Sequence, residues 1–294
     1  MALVICSANE THLGKWLRSG RYWGYFSPKA QGRSEKMSHA EHDPAPSVLR
    51  AVTILDLLAH SRRGRSLSGV SRSLSLPKSS TYRILTALME SGHVVRDTRN
   101  KSLRLGFRIV SLGRAALCDS LLRDVARPFV VSLMRNTGLT VHLGVLDSGQ
   151  AVIVDKEEPL GPGRVGTWVG RTLDVHSTAL GKALVSFLPN HELELEFKVR
   201  GFIKHNQKTI VTRDRLEEAM RQVRELGYSV DDEEDELGVR CVGVPITDGR
   251  GSVIAALSAA GTTAQIPTYQ FPFLGQTLKI YSASISASLA AHTA

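Results

Sequence analysis

The apolar residues between positions 46 and 92 recur every three or four residues, a spacing that predicts three short amphipathic helices. Ser47 is the expected N-cap of the first helix. A second helix is predicted over residues 67–74. The third is expected between Pro77, which suits a first helical turn, and Gly92, which suits a left-handed stop.

Two short runs of alternating residues follow at 93–96 and 102–105, and the polar turn between them predicts a basic β-hairpin. Three helices followed by such a hairpin indicate a winged helix-turn-helix domain, which we assign to residues 46–106. A linker helix is expected in the segment 107–122.

Helical and strand patterns alternate from residue 123 to residue 294. The segments predicted to be helical are 125–136, 179–188, 213–226 and 272–291. The predicted strands are 140–146, 151–155, 238–246 and 252–259. Hairpin turns join these strands in pairs, so the fold class is α+β with an antiparallel sheet, in a domain large enough to hold a ligand cavity.

The first 45 residues show no sustained helical or strand period and read as a disordered or misannotated extension. We hypothesise that natural translation begins at Met37. The apolar start of the chain is too short for a secretory signal, and no window is apolar enough to span a membrane. Three widely spaced cysteines fit a reducing, cytoplasmic compartment.

Charge is divided unevenly along the chain. Residues 1–117 carry 19 Lys and Arg against 7 Asp and Glu, whereas the remaining residues carry 18 against 21. A basic front and a mildly acidic back indicate two separate tasks, with a polyanion as the partner of the front.

Double-stranded DNA is the expected polyanion, because a helix fits the major groove while Lys and Arg neutralise phosphates. A winged helix that docks onto a protein is the alternative. The predicted contacts come from the third helix and the hairpin. They are Lys78, Ser79, Ser80, Tyr82, Arg83, Arg96, Arg99 and Lys101.

Five segments carry a family resemblance. They are LPKSSTYRIL at 76–85, LRLG at 103–106, HSTALGKA at 176–183, RELGY at 224–228 and GVRCVGVP at 238–245. In this order they resemble the IclR family of bacterial transcriptional regulators, and the resemblance extends from Val48 to His292. It implies a GAF-like effector-binding domain and homodimers that pair into tetramers. The implied regulator binds a pseudo-palindromic operator, as a repressor or an activator.

The same resemblance implies a small-molecule effector, a small organic or aromatic acid, bound at the start of a helix whose backbone N–H groups suit an anion. The residues implied for this pocket are Ala179, Leu180, Asp231, Val239, Cys241, Val244, Ser258 and Ala260. No cofactor is implied.

Other chemistry has weaker support in the sequence. Cys241 and His176 could form a thiol–imidazole pair, but a buried, inert thiol is the commoner state of a cysteine in an apolar strand. The same two residues lack the compact spacing of zinc ligands. The acidic run 231–236 could hold a cation, but a solvated loop beside the pocket is favoured because consecutive carboxylates point in different directions. We therefore predict no catalytic and no metal site, with an enzyme built on the α/β domain as the remaining rival.

Overall fold

A computed structural model describes residues 45–61, 63–118, 121–161, 165–189 and 201–293. The predicted extension up to residue 44, including Met37, lies outside these residues. The described chain forms two compact units, one up to residue 118 and the other from residue 121 onward. No helix in the described ranges is long and apolar enough to cross a membrane.

The described residues of the N-terminal unit form four helices and a hairpin. Its elements are α1 (Pro46–Ala59), α2 (Leu67–Ser73), α3 (Lys78–Glu90), β1 (Val94–Arg96), β2 (Leu103–Leu105) and α4 (Arg108–Cys118). The two strands pair antiparallel, with Val94 opposite Leu105. The buried side chains of α1, α2, α3 and the hairpin form one apolar core. Its members are Ile54, Leu58, Val70, Leu85, Val94 and Leu103.

The C-terminal unit combines a six-stranded sheet with four α-helices among its described residues. Its helices are α5 (Leu121–Thr137), α6 (Ala179–Val185), α7 (Arg213–Leu226) and α8 (Phe271–Thr293). Its strands are β3 (Thr140–Asp147), β4 (Gln150–Glu157), β5 (Thr172–Asp174), β6 (Ser229–Asp232), β7 (Val239–Thr247) and β8 (Val253–Thr262). All pairs are antiparallel, in the order β5-β4-β3-β8-β7-β6.

The two faces of this sheet are covered by different helices. On one face, α5 and α8 pack against apolar side chains such as Val242 and Leu257. On the other face, α6 packs on β3, β7 and β8, and α7 packs against α6 and β6. Because helices cover both faces, consecutive residues are buried in the middle of the central strands β7 and β8 and in the first half of β3.

Some predicted boundaries differ from the observed ones. Helix α1 begins at Pro46, whose fixed φ suits the first helical position, so Ala45 holds the N-cap and Ser47 lies inside the helix. Strands β5 and β6 were not predicted. Each has only three or four residues, too few for alternation to be recognised.

Candidate functional site

The exposed face of α3 carries most of the predicted DNA contacts. Thr81 and Leu85 are buried against the core of the N-terminal unit, which turns Ser79, Tyr82 and Arg83 outward. Tyr82 is 59% exposed. Ser80 is half-buried and, with Arg83, borders a groove between α1 and α3. Lys78 is exposed at the start of the helix.

The turn before α3 is fixed by hydrogen bonds. The Ser71 hydroxyl donates to the carbonyl of Leu76 at 2.7 Å, and the Leu76 N–H donates to the carbonyl of Ser71 at 2.9 Å. Ser75 adopts a left-handed conformation with φ 52°. Helices α2 and α3 are thereby held at a defined angle, which a helix needs if it is to enter a groove in one register.

The hairpin places its cations in solvent. Arg96, Arg99 and Lys101 are all exposed. Asp97 orders the turn, because one of its carboxylate oxygens accepts the N–H of Arg99 at 2.8 Å and its carbonyl accepts the N–H of Lys101 at 3.0 Å. The turn therefore exposes its basic side chains without pairing them with the Asp97 carboxylate. That carboxylate lies 3.5 Å from Arg104 instead.

The C-terminal unit contains a small cavity of ≈40 Å³ between α6 and the sheet. Seven of the eight residues that the resemblance implied line it. They are Ala179, Leu180, Asp231, Val239, Cys241, Ser258 and Ala260. The volume has room for about one or two water molecules, so the cavity is nearly closed.

Sheet register brings these residues together. Cys241 lies directly between Asp231 on β6 and Ala260 on β8. Ser258 lies two residues along β8, opposite His142 on β3. The cavity floor is thus a set of neighbouring positions on four strands, and the start of α6 forms the opposite wall.

Helix α6 approaches the sheet closely because glycine stands where they meet. A Cβ on Gly243 would lie only 2.7 Å from the carbonyl oxygen of Ala179. Ser229 fixes the same contact, since its hydroxyl donates to that carbonyl at 2.6 Å. The first turn of α6 therefore has a fixed position at the cavity wall.

The structure does not place Val244 in the cavity, contrary to the prediction. It is fully buried among the side chains that face α5 and α8, not in the cavity. Successive side chains of a strand point to opposite faces, so Cys241 and Val244, three positions apart, cannot share one.

Eight lining residues were not among those predicted for the pocket, and three of them form its polar side opposite Asp231. They are His142, Thr167 and Arg171. His142 Nε2 lies 2.7 Å from the Thr167 hydroxyl, and its Nδ1 lies 3.4 Å from the Ser258 hydroxyl. Burial, reinforced by the charges of Lys156 and Arg171, lowers the pKa of His142 to about 3, so the ring is neutral. The available signal was the one ionisable residue in the run 140–146, His142.

The interpretation of residues 231–236 as a solvated loop beside the pocket was correct only in part, because Asp231 and Asp232 belong to β6 and Glu236 alone is exposed. Asp231 is only 2% exposed, and one of its oxygens accepts the backbone N–H of Glu234 at 2.7 Å. Glu234 pairs with the buried Lys182 of α6, at 2.6 Å between Nζ and Oε1. A lysine from a distant segment neutralises part of the run, and sequence spacing does not reveal such a partner.

Burial also shifts the chemistry of the cavity floor. It raises the pKa of Asp231 to about 7, against the opposing effect of the Lys182 ammonium. Burial and the nearby carboxylates raise the pKa of the Cys241 thiol well above its usual value. The thiol is therefore protonated near neutral pH and does not have the lowered pKa of a catalytic nucleophile.

One group of described side chains has the composition of a metal site. Ligand atoms of Asp174, His176 and His205 all lie within 4.8 Å of one another. Both histidines already have protein partners, since His205 Nε2 lies 2.9 Å from Asp174 and His176 Nε2 lies 2.9 Å from the carbonyl of Ile203.

Comparison with known proteins agrees with this two-part arrangement. The family model described as "Bacterial transcriptional regulator IclR C-terminal" matches residues 115–287, and the "IclR helix-turn-helix domain" matches residues 47–98. The chain belongs to the IclR family. It is therefore a transcriptional regulator with an N-terminal DNA-binding unit and a C-terminal effector-binding domain.

Three similar IclR-family proteins illustrate the match. The HTH-type transcriptional regulator XynR of Escherichia coli K12 is 34% identical over 75% of this chain and 87% of its own length. The crystal structure of Thermotoga maritima IclR matches with a TM-score of 0.67 and 30% identity, over 83% of this chain and 99% of that one. An IclR homologue from Microbacterium hydrocarbonoxydans, solved with 4-hydroxybenzoate, has a TM-score of 0.70 at 22% identity, over 83% and 99%.

Proposed function

We propose that this IclR-family regulator binds a pseudo-palindromic operator as a homodimer, with dimers able to pair into tetramers, and that a small hydroxylated organic acid controls the binding. The observation that carries the DNA part is the outward face of α3, where Tyr82 and Arg83 lie beside exposed basic side chains. Two copies related by a two-fold axis would place two such helices in successive major grooves.

The class of effector follows from the charged groups of the cavity. Among the described lining residues Arg171 is the one permanent cation, whereas Asp231, Asp235 and Glu236 supply carboxyl groups. A guanidinium suits a carboxylate, and carboxylates accept hydrogen bonds from hydroxyl groups. A simple acid would use only the first feature, while a hydroxylated acid would use both.

Occupation of the cavity requires a change of shape. Its ≈40 Å³ is smaller than any organic acid, so the wall that includes Thr167 and Arg171 must move outward when a ligand enters. Ligand binding that favours one conformation can change operator affinity only if the DNA-binding units respond to that conformation. The direction of regulation, repression or activation, is left to experiment.

The chemistry of the cavity also fits a regulatory function better than a catalytic one. The Cys241 thiol is protonated and His142 is neutral, so the floor holds no activated nucleophile among its described residues. We place the protein in the cytoplasm, where its DNA lies.

The effector class can be tested with three matched compounds: glycerate, propionate and glycerol. Operator binding is titrated by fluorescence anisotropy with each compound at millimolar concentration, and thermal unfolding is followed in parallel. Glycerate should change operator affinity and raise the unfolding temperature more than propionate, which lacks hydroxyls, or glycerol, which lacks the carboxylate. An Arg171→Gln variant should lose the difference between glycerate and glycerol. Equal responses to propionate and glycerate would contradict the role assigned to the carboxyl groups.

A further inference from the structure

The C-terminal unit contains a second cavity that is larger than the effector cavity. A separate cavity of ≈400 Å³ lies between α7, β6 and the buried side chain of Lys182. Its volume is in the usual range of small-molecule sites, whereas the effector cavity in the same structure is nearly closed.

A buried polar pair lies at this cavity. The side chain of Lys182 is only 3% exposed, and its ammonium makes a single hydrogen bond among the described residues, to Glu234 Oε1 at 2.6 Å. The second oxygen of that carboxylate, Oε2, is buried and has no hydrogen-bond partner among the described residues. An ammonium can donate three hydrogen bonds, and a buried acceptor without a partner costs free energy. The pair therefore offers an unused donor beside an unused acceptor.

The rest of the wall is of mixed character. Ile210, Val223 and Tyr228 supply apolar surface. The α7 side is polar and is lined by Asp214, Arg215, Glu218 and Gln222. Lys182 and Glu234 neutralise each other, so a charged ligand gains little at the base of the cavity. A neutral group that accepts from Lys182 and donates to Glu234 would satisfy both.

We propose that this cavity is a second ligand site, which binds a small neutral compound carrying an amide or lactam edge next to an apolar ring. On binding, the Glu234 side chain, which is 14% exposed, turns toward the cavity, so that the amide oxygen accepts from Lys182 Nζ and the amide N–H donates to Glu234 Oε2. The ring packs against the apolar wall of α7 and β6.

The second site shares a wall with the effector cavity. Glu234 donates its backbone N–H to Asp231, a residue of the effector cavity, at 2.7 Å, while its side chain faces the second site. A ligand that holds Glu234 and Lys182 in place therefore also restrains Asp231. Binding of this ligand involves only the second site. The proposal therefore stands even if the effector of the first cavity belongs to another chemical class.

Three probes with the same ring test the proposal on the full-length protein: benzamide, benzoate and benzylamine. Binding of each is measured by isothermal titration calorimetry and by ligand-observed NMR. Benzamide should bind at least about tenfold more tightly than the other two, since each of them leaves one buried polar group without a partner. Equal affinity for all three, or no benzamide binding at millimolar concentration, would overturn the proposal.

Variants locate the site. The double variant Lys182→Met/Glu234→Met removes both charges together, so that no buried charge loses its partner, and should abolish benzamide binding. Gln222→Trp, on the exposed side of α7, should block the cavity without a change in its base. Glu217→Trp places the same side chain about 140° around the axis of α7 from Gln222, outside the cavity lining, and should bind benzamide like the natural protein. Unchanged binding in the double variant and in Gln222→Trp would also overturn the proposal.

Discussion

The two units of the chain differ in where their charged side chains lie and in whether these side chains are paired. In the N-terminal unit, the cations of α3 and the hairpin are exposed, and Arg104 with Asp97 is the single ion pair among its described residues. In the C-terminal unit, Lys182 pairs with Glu234 beneath the surface, and Arg127 bonds the buried Asp155 at 3.0 Å. DNA brings the counter-charges for the first unit, whereas a folded cavity must supply its own.

From this contrast we expect the two units to respond differently to the loss of a charged side chain. Loss of an exposed cation removes one interaction with solvent or DNA and leaves no unpaired charge in the protein interior. Loss of a buried partner leaves an uncompensated charge in the protein interior. We therefore expect substitutions in the C-terminal unit to change stability and substitutions in the N-terminal unit to change DNA binding.

The largest effect is expected for Lys182→Met. The variant leaves the buried Glu234 carboxylate without its ammonium, which should lower the free energy of unfolding by about 3–5 kcal/mol. Urea unfolding at neutral pH measures the loss. Lys208→Met is the matched control, because Lys208 pairs with Glu233 in solvent, and it should change stability far less. Equal losses in the two variants would erase the contrast between buried and exposed pairs.

Asp231 predicts a pH dependence of stability. Burial raises its pKa from 3.8 to about 7, so between these values the folded protein keeps a proton that the unfolded chain has released. The stabilising contribution is complete below about pH 4 and is lost as the pH rises through 7. Relative to Asp231→Asn, the natural protein should lose about 2–4 kcal/mol over this range, since one pKa unit corresponds to about 1.4 kcal/mol.

Urea unfolding of both proteins at several pH values between 4 and 8 measures this difference. Glu225→Gln, a substitution in solvent, should follow the natural protein at every pH. Parallel curves for the natural protein and Asp231→Asn would show that Asp231 is ionised throughout and not protonated in the folded state.

Arg83 should act on DNA binding and not on stability. If its guanidinium bonds a base edge in two places, Arg83→Ala weakens operator binding by about 1–3 kcal/mol and leaves binding to shuffled DNA much less affected. Anisotropy titrations on both DNAs measure the two losses. An equal loss on both would assign Arg83 to a phosphate.

The smallest effect is expected for Lys101, at the tip of the hairpin. Its exposed ammonium suits a phosphate, so Lys101→Ala should reduce the slope of log affinity against log salt by about one. Titrations at four salt concentrations give the slope. An unchanged slope would place Lys101 outside the DNA interface.

The N-terminal unit was predictable from sequence because its signals are local. Thr81 and Leu85 recur at helical spacing, and a buried stripe on a short helix leaves only one face for contacts. The C-terminal cavity depends on contacts between distant segments. The pairing of Lys182 with Glu234 joins residues 52 positions apart, and the alignment of His142 with Ser258 joins residues 116 apart.

Val244, whose predicted place in the pocket differs from its observed place, shows the same limit of sequence-based prediction. Val244 belongs to the same segment as Val239 and Cys241, which line the cavity, yet the orientation of its side chain depends on strand register. Cys241 points into the cavity and Val244 points away from it, and the motif GVRCVGVP at 238–245 does not distinguish the two faces. Apolar side chains on both faces conceal the alternation in a sheet that is covered on both sides.

A gel-shift titration tests the central claim most directly. The protein is titrated against the DNA upstream of its own gene and against a shuffled sequence of equal length, at two salt concentrations. The account predicts a preference for the natural sequence of about a hundredfold or more, with weaker binding at the higher salt. Absence of binding to either DNA at low salt would contradict the assignment of the exposed basic face of α3 and the hairpin to DNA.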